Sequence, residues 1–367
     1  MKVLIVGGGV IGCAAAYELA GAGCRVTLFE RGTPGAEASS AAAGLLAPID
    51  ESAETSFARL ALASWRLFPA VVRDLEARTG IDVEYVTRGT IYPISAPQKK
   101  REVGQWADMA EFGVEMLEGE ELHRREPALA PTIRHAIFVK GDHWLNNQKL
   151  VLAYAQAAAG AGVELKTGCN VSRVVVEGDR ARAVVADGER FDGDAVLLAA
   201  GAWSGELMAG LGARLRIEPR RGQMLALAHV PAVVSHCVHG EVYLVPRPSG
   251  ELLIGATVER AGWERAVTAE GIAGLLRSAL ELVPALADLP IARTWCGFRP
   301  WAPDSLPVLG PWPGVAGLFL ATGHFRNGIL LAPITARLLT EWITGRQPSL
   351  TVKDFLPERF APTLRHG

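Results

Sequence analysis

Lys2-Val3-Leu4-Ile5-Val6-Gly7-Gly8-Gly9-Val10-Ile11-Gly12 is the stretch on which the fold turns. A β-branched run ends abruptly in glycines, and a helical pattern follows over Ile11–Ala22 until Gly23 stops it. Arg25–Glu30 then reads as a second strand, which makes the opening a βαβ unit of a doubly wound sheet. Within it Gly7, Gly9 and Gly12 stand at GxGxxG spacing. Gly7 permits the tight turn, Gly9 lets the backbone approach a pyrophosphate, and Gly12 lets the helix pack closely on the strand. The helix N-terminus offers unpaired N–H groups and a positive dipole end to phosphates. Glu30 lies 18 residues beyond Gly12, where a carboxylate accepts hydrogen bonds from a ribose diol. That acid disfavours a 2′-phosphate, so FAD or NAD is expected over NADP.

Composition narrows the class. Of 367 residues, 49% are hydrophobic and 21% charged, enough to bury a sizeable core. Lys and Arg number 37 against 39 Asp and Glu, a net charge of −2, which argues against nucleic acid as the main partner. Lys99-Lys100-Arg101 reads as a solvated helix end. The five cysteines (Cys13, Cys24, Cys169, Cys237, Cys296) are scattered and form no CxxC pair, so neither a disulfide framework nor a metal site is expected, and a cytoplasmic location is. Lys2 and the apolar run after it imitate a signal peptide, but the glycines suit a phosphate turn better. No membrane span is expected, because Pro333, Arg337 and Glu341 interrupt the apolar segment Gly328–Ile343.

Further along, Glu51–Thr79 carries apolar residues at helical spacing. Val83–Ile94 and Ala136–Val139 read as strands, with polar helices around Gln98–Phe112 between them. Leu150–Ala159 and Ala269–Leu282 read as helices. Val163–Leu165, Val171–Val176, Ala181–Val185, Ala195–Ala199, Arg216–Ala228, Glu241–Val245, Glu251–Thr257, Ala292–Phe298 and Leu318–Ala321 read as strands, before a closing helix from Asn327. The expected class is α/β with an α+β second domain: a Rossmann-like FAD-binding domain over 1–46, 146–214 and 310–350, a discontinuous antiparallel-sheet substrate domain over 47–145 and 215–309, and a C-terminal tail over 351–367.

Three more segments favour FAD over NAD. Ala38–Gly44 is a run of small residues past the ribose strand, although its composition alone fits an ordinary flexible loop. Ala199-Ala200-Gly201-Ala202-Trp203 is a second small-residue turn after a buried strand. In Ala321–Pro333 a strand ends in Thr322-Gly323 and a helix begins near Asn327, with its dipole positioned to favour an anionic reduced flavin.

On these motifs, together with VYLVPRPSGELLIGAT, GFRPWAPDSLPVLG and TGHFRNGILLAP, the chain resembles the glycine oxidases of the D-amino-acid oxidase superfamily over almost its whole length. The resemblance implies flavin contacts at Val10, Ile11, Glu30, Arg31, Ala38, Ser39, Ala43, Gly44, Leu45 and Val171, and at His324, Phe325, Arg326, Asn327, Gly328, Ile329 and Leu330. It implies substrate contacts at Tyr243, Arg299 and Arg326, dioxygen as oxidant, a role linked to thiamine biosynthesis and a homotetramer. Gly297, beside Cys296, matches the position where sarcosine oxidases attach flavin through Cys, so non-covalent FAD is expected.

In Gly297-Phe298-Arg299-Pro300, Arg299 is expected at a strand end, clamping a substrate carboxylate through two hydrogen bonds; without the resemblance a structural ion pair fits equally. Tyr243 alternates with Glu241 and Val245 and adds a hydroxyl to the same carboxylate, or is a half-buried core aromatic. Glu241, where a relative has His, is expected to draw cationic or secondary amines; Leu45 stands where that relative has Met. With the carboxylate fixed, hydride leaves Cα for flavin N5, and no side-chain base is needed if the amine arrives neutral. His324 reads first as a packing or backbone contact. The alternatives are a sarcosine or D-amino-acid oxidase, a quinone-reducing dehydrogenase, a flavin-dependent tRNA-modifying domain and a non-catalytic flavin scaffold.

Overall fold

The computed structural model describes residues 1–48, 55–94, 112–228 and 232–360. Lys2–Val6 sits inside a six-stranded sheet ordered Val308–Pro311, Leu318–Thr322, Ala195–Leu198, Lys2–Val6, Arg25–Glu30, Glu164–Thr167. All neighbours run parallel except the first pair. Parallel strands covered on both faces must be apolar throughout. Val3, Leu4 and Ile5 are accordingly fully buried. The helices Val10–Gly21, Asn147–Gly160 and Gly328–Ile343 pack together on one face. A three-stranded antiparallel sheet, Val171–Glu177, Arg180–Ala186 and Glu189–Asp192, covers the other.

An eight-stranded sheet forms the second layer, ordered Ile291–Trp301, Glu218–Ala228, Glu251–Gly255, Tyr243–Pro246, Cys237–His239, Thr90–Ile94, His135–Val139, Val114–Glu118. It is not wholly antiparallel as expected, because Cys237–His239 pairs parallel with Thr90–Ile94. The mixed α/β class stands.

Several element boundaries differ from expectation for local reasons. The helical stretch ending at Thr79 is two helices, Ser56–Trp65 and Phe68–Thr79. Thr55 caps the first, its hydroxyl accepting from the Ala58 amide at 3.1 Å, and Gly80 ends the second in the left-handed region. Of Val83–Ile94 only Thr90–Ile94 is strand; Glu84 and Gly89 take positive φ and turn the chain before it. The helices expected around Gln98–Phe112, with Lys99-Lys100-Arg101, lie outside the described residues apart from Phe112. Arg299 falls within the long strand Ile291–Trp301 rather than at its end. Glu241 precedes the strand that begins at Tyr243, since the Gly240 amide donates to the Val242 carbonyl and turns the backbone there.

Candidate active site

A cavity of about 930 Å³ opens between the two large sheets. Its wall brings together Gly7, Gly9, Val10, Ile11, Glu30, Arg31, Ala38, Ser39, Ala43, Gly44, Leu45, Val171, Gly201, Glu241, Tyr243 and Arg299. The continuous segment His324, Phe325, Arg326, Asn327, Gly328, Ile329, Leu330 completes it. Gly12 is not on that wall. A Cβ there would fall 1.9 Å from the Gly7 carbonyl oxygen, so this glycine serves helix–strand packing behind the turn.

The turn is built for close approach. Gly7 has φ 107°, and a Cβ on it would lie 2.4 Å from the Ala199 oxygen. Glu30 Oε2 accepts from the Gly8 amide and Oε1 from the Gly32 amide, both at 2.8 Å, so the carboxylate is fixed at the strand end. Each oxygen keeps a further lone pair for a diol. The Val10 amide, first of its helix, donates to Ser39 Oγ at 3.0 Å. Arg31 stacks on Trp203 with its guanidinium carbon 3.8 Å from the ring centroid, and its Nη2 pairs with Glu37 at 2.9 Å.

The Ala38–Gly44 segment is not loose, contrary to what its composition alone permits. Asn147 Nδ2 donates to the Ser39 and Ser40 carbonyls at 2.6 and 3.1 Å. Arg247, buried, donates to the Ala43 carbonyl at 2.9 Å, to Asn147 Oδ1 at 2.7 Å and to the Leu145 carbonyl. Trp295 Nε1 donates to the Ala41 carbonyl at 3.2 Å. A Cβ on Gly297 would meet Ala41 Cβ at 2.4 Å, so bare backbone is required where a side chain would close the cavity. Cys296 is not on the wall; Cys169 is.

At the other end Tyr243, Arg299 and Arg326 converge, with His239, Tyr92 and Thr90 beside them. Arg299 Nη1 donates to the Thr257 carbonyl at 2.9 Å. Burial lowers the Arg299 pKa, and the charge of Arg326 pushes the same way; burial raises the Tyr243 hydroxyl, against the Arg299 charge. Glu259, whose charge Arg299 feels, is itself paired with Arg221 at 2.6 Å. This end therefore carries a positive surplus suited to an anion. Glu241 stands exposed at the rim, accepting from Ser278 Oγ at 3.3 Å. His324 is buried with Nε2 3.2 Å from Thr335 Oγ1, and burial lowers its pKa to about 3, so the imidazole is neutral.

His239, Tyr92, Arg247 and Asn147 escaped sequence reading. His239 stands two residues before Glu241, and a hairpin register over 239–243 would have exposed it; Tyr92, in Thr90-Ile91-Tyr92-Pro93, gives no local signal.

The fold and the cavity define a flavin-dependent oxidoreductase. The family model described as FAD dependent oxidoreductase matches residues 2–342, and the chain belongs to that family. The residues fit the cofactor, with bare glycine backbone at the turn, a diol-ready carboxylate and two helix N-termini on one wall. The chain is 38% identical to the glycine oxidase of Pseudomonas aeruginosa over 97% of its own length and 98% of that protein. It is also 38% identical to a bifunctional protein ThiO/ThiG of Synechocystis sp., covering 98% of this chain and 54% of that one. The crystal structure of glycine oxidase from Geobacillus kaustophilus superposes with a TM-score of 0.92 at 35% identity, covering 97% of this chain and 98% of that one. Among the described residues no helix is long and apolar enough to cross a membrane.

Proposed function

We propose that this FAD-dependent enzyme oxidises glycine or another small primary or secondary amino acid. One arrangement carries the reading: two guanidiniums, Arg299 and Arg326, share one end of the cofactor cavity with the Tyr243 hydroxyl and carry a surplus of positive charge. A planar guanidinium with a free edge binds a carboxylate through two parallel hydrogen bonds, each contributing about 1.5–3 kcal/mol. Arg299 anchors the acid group, Tyr243 adds a hydroxyl, and Arg326 closes the charge balance from the exposed side. With the acid fixed, the amino carbon has one orientation in the cavity. Bound FAD supplies the acceptor for a hydride from that carbon. His324, part of that wall and held neutral by burial, carries no imidazolium proton to give near neutral pH. Overall, amino acid, water and dioxygen become 2-oxo acid, ammonia or amine, and hydrogen peroxide.

Gly297 at the wall and Cys296 off it support non-covalent FAD; yellow colour left in the supernatant after acid precipitation is the expected result. Similarity to a ThiO/ThiG protein supports a role in thiamine biosynthesis, and five free cysteines support the cytoplasm. A homotetramer, by resemblance, is checked by light scattering. The decisive experiment mixes the yellow holoprotein anaerobically with glycine, sarcosine and D-amino acids, then admits air. Bleaching followed by peroxide is expected. Bleaching by none of them would remove the reading, and bleaching without peroxide would favour a quinone-reducing dehydrogenase.

A further inference from the structure

Amino acids reach an enzyme near neutral pH as zwitterions, and a hydride leaves readily only when the amine lone pair is available. The ammonium proton must therefore go somewhere before oxidation. The two cationic side chains at the substrate end cannot take it, and the buried His324 imidazole turns its Nε2 to Thr335.

A buried carboxylate on this side can. Asp142 is completely buried, and its Oδ2 accepts from the Tyr92 hydroxyl at 2.5 Å. Its Oδ1 is buried without a hydrogen-bond partner in the structure. Tyr92 belongs to the cavity wall and packs its ring on His239, 5.4 Å between centroids at 37°. His239 in turn meets the edge of Tyr243, 5.8 Å at 83°. A contiguous row of side chains thus runs from the carboxylate clamp to a buried acid, with Tyr92 both on the cavity wall and hydrogen-bonded to that acid.

We propose that Tyr92 and Asp142 form a proton relay that takes up the ammonium proton of the bound amino acid. The step rests on the proposed oxidation and deepens it. The substrate N–H bond breaks as an O–H bond forms on Tyr92 Oη; the original Tyr92 proton passes to Asp142 Oδ2. The result is a neutral amine in the cavity and a carboxylic acid behind it, with no change of oxidation state. Asp142 acts through Tyr92 and does not itself touch substrate.

The surroundings favour this assignment. Burial pushes Asp142 up to about 7, with the Tyr92 hydroxyl pulling the other way. The groups around it are each driven toward neutrality. Burial raises the Cys237 thiol and the Tyr92 phenol, lowers His143 to about 4 and lowers His239, the last helped by the Arg326 charge. His143 is also held by the Tyr85 hydroxyl at 2.6 Å, and the remaining neighbour, Thr90, does not titrate. Asp142 is left as the member that changes charge near neutrality.

The test uses FAD-loaded wild-type enzyme, Asp142→Asn and Tyr92→Phe, mixed anaerobically with glycine across pH. At pH 7 both variants are expected to bleach at least about tenfold more slowly. They should regain most of the rate near pH 10, about where the amine arrives neutral. Acetate, a carboxylate without an amine, should bind all three alike. Glycine binding should produce a carboxylic-acid carbonyl band in the infrared difference spectrum of the wild type and none in Asp142→Asn. Wild-type bleaching rates at pH 7 in both FAD-loaded variants, or an acid band that survives Asp142→Asn, would overturn the relay while leaving the oxidation intact. If glycine and other small amino acids fail to bleach the wild type, the oxidation reading falls and the relay with it.

Discussion

Arg299 lies across the backbone of Gly222 on the neighbouring strand, so close that a Cβ on Gly222 would fall 2.0 Å from Nη1 and 2.5 Å from Cζ. The guanidinium reaches the cavity only because that strand is bare at this point. Gly222 and Gly297 face each other in register, one making room for the arginine and the other for Ala41.

Gly222→Ala therefore separates binding from stability. The clashing atoms are the far end of a flexible side chain, so the guanidinium moves and the sheet stays. We expect a thermal midpoint within a few degrees of wild type. The KM for glycine should rise on the order of tenfold to a hundredfold, the loss of about one charged hydrogen bond. Steady-state kinetics beside a melting curve checks both; an unchanged KM would detach Arg299 from the substrate.

Arg247 holds the Ala43 and Leu145 carbonyls and Asn147 Oδ1 from inside the protein. Burial lowers its pKa to about 10, and it remains charged at working pH. Replacing it with Met keeps much of the volume but strands three acceptors, at a cost of about 3 kcal/mol. The strand-linking segment before Gly44 would loosen, and FAD should be released more readily. Flavin fluorescence on dilution reads that release directly.

Acid should destabilise the enzyme through His324. Its folded pKa, about 3, lies below the ordinary histidine value near 6.5, so between those limits the unfolded chain binds the extra proton. The contribution is full above about pH 6.5 and is lost as pH falls. Asp142 works in the opposite sense: its folded pKa is raised to about 7, so its contribution is present at low pH and lost as pH climbs through 7. In urea unfolding series, His324→Gln should be less sensitive to acid than wild type, and Asp142→Asn should lose less stability than wild type as pH rises from about 4 to about 7.

Glu241 is expected to tune selectivity only mildly. Its carboxylate is exposed at the rim, where an ion pair with a passing cation contributes about 0–1 kcal/mol. Glu241→Gln should lower kcat/KM for sarcosine relative to glycine by no more than about fivefold. A ratio that does not move at all would deny the residue any part in substrate choice.

The phosphate turn was legible because its physics is local. Gly7, Gly9, Gly12 and Glu30 sit within one βαβ unit, and their spacing alone dictates where a backbone can approach a ligand. Arg299, Arg326 and Tyr243 were legible by resemblance, since an isolated arginine on a strand reads equally well as an ion-pair partner. The close helix–strand packing at Gly12 was legible too, although its place behind the cavity wall was not. The rigidity of Ala38–Gly44 was not legible, because it depends on Arg247 and Asn147, which lie far along the chain.

By itself the sequence determined the α/β class, the dinucleotide turn and the acid that faces it, since each follows from periodicity and spacing over a few tens of residues. Only the tertiary structure decided what stands opposite that turn. Tyr92, Asp142 and the hairpin carrying His239 and Tyr243 come from three separate segments, and the pairing of strands distant in sequence is what turns these unremarkable side chains into one row ending at a buried acid.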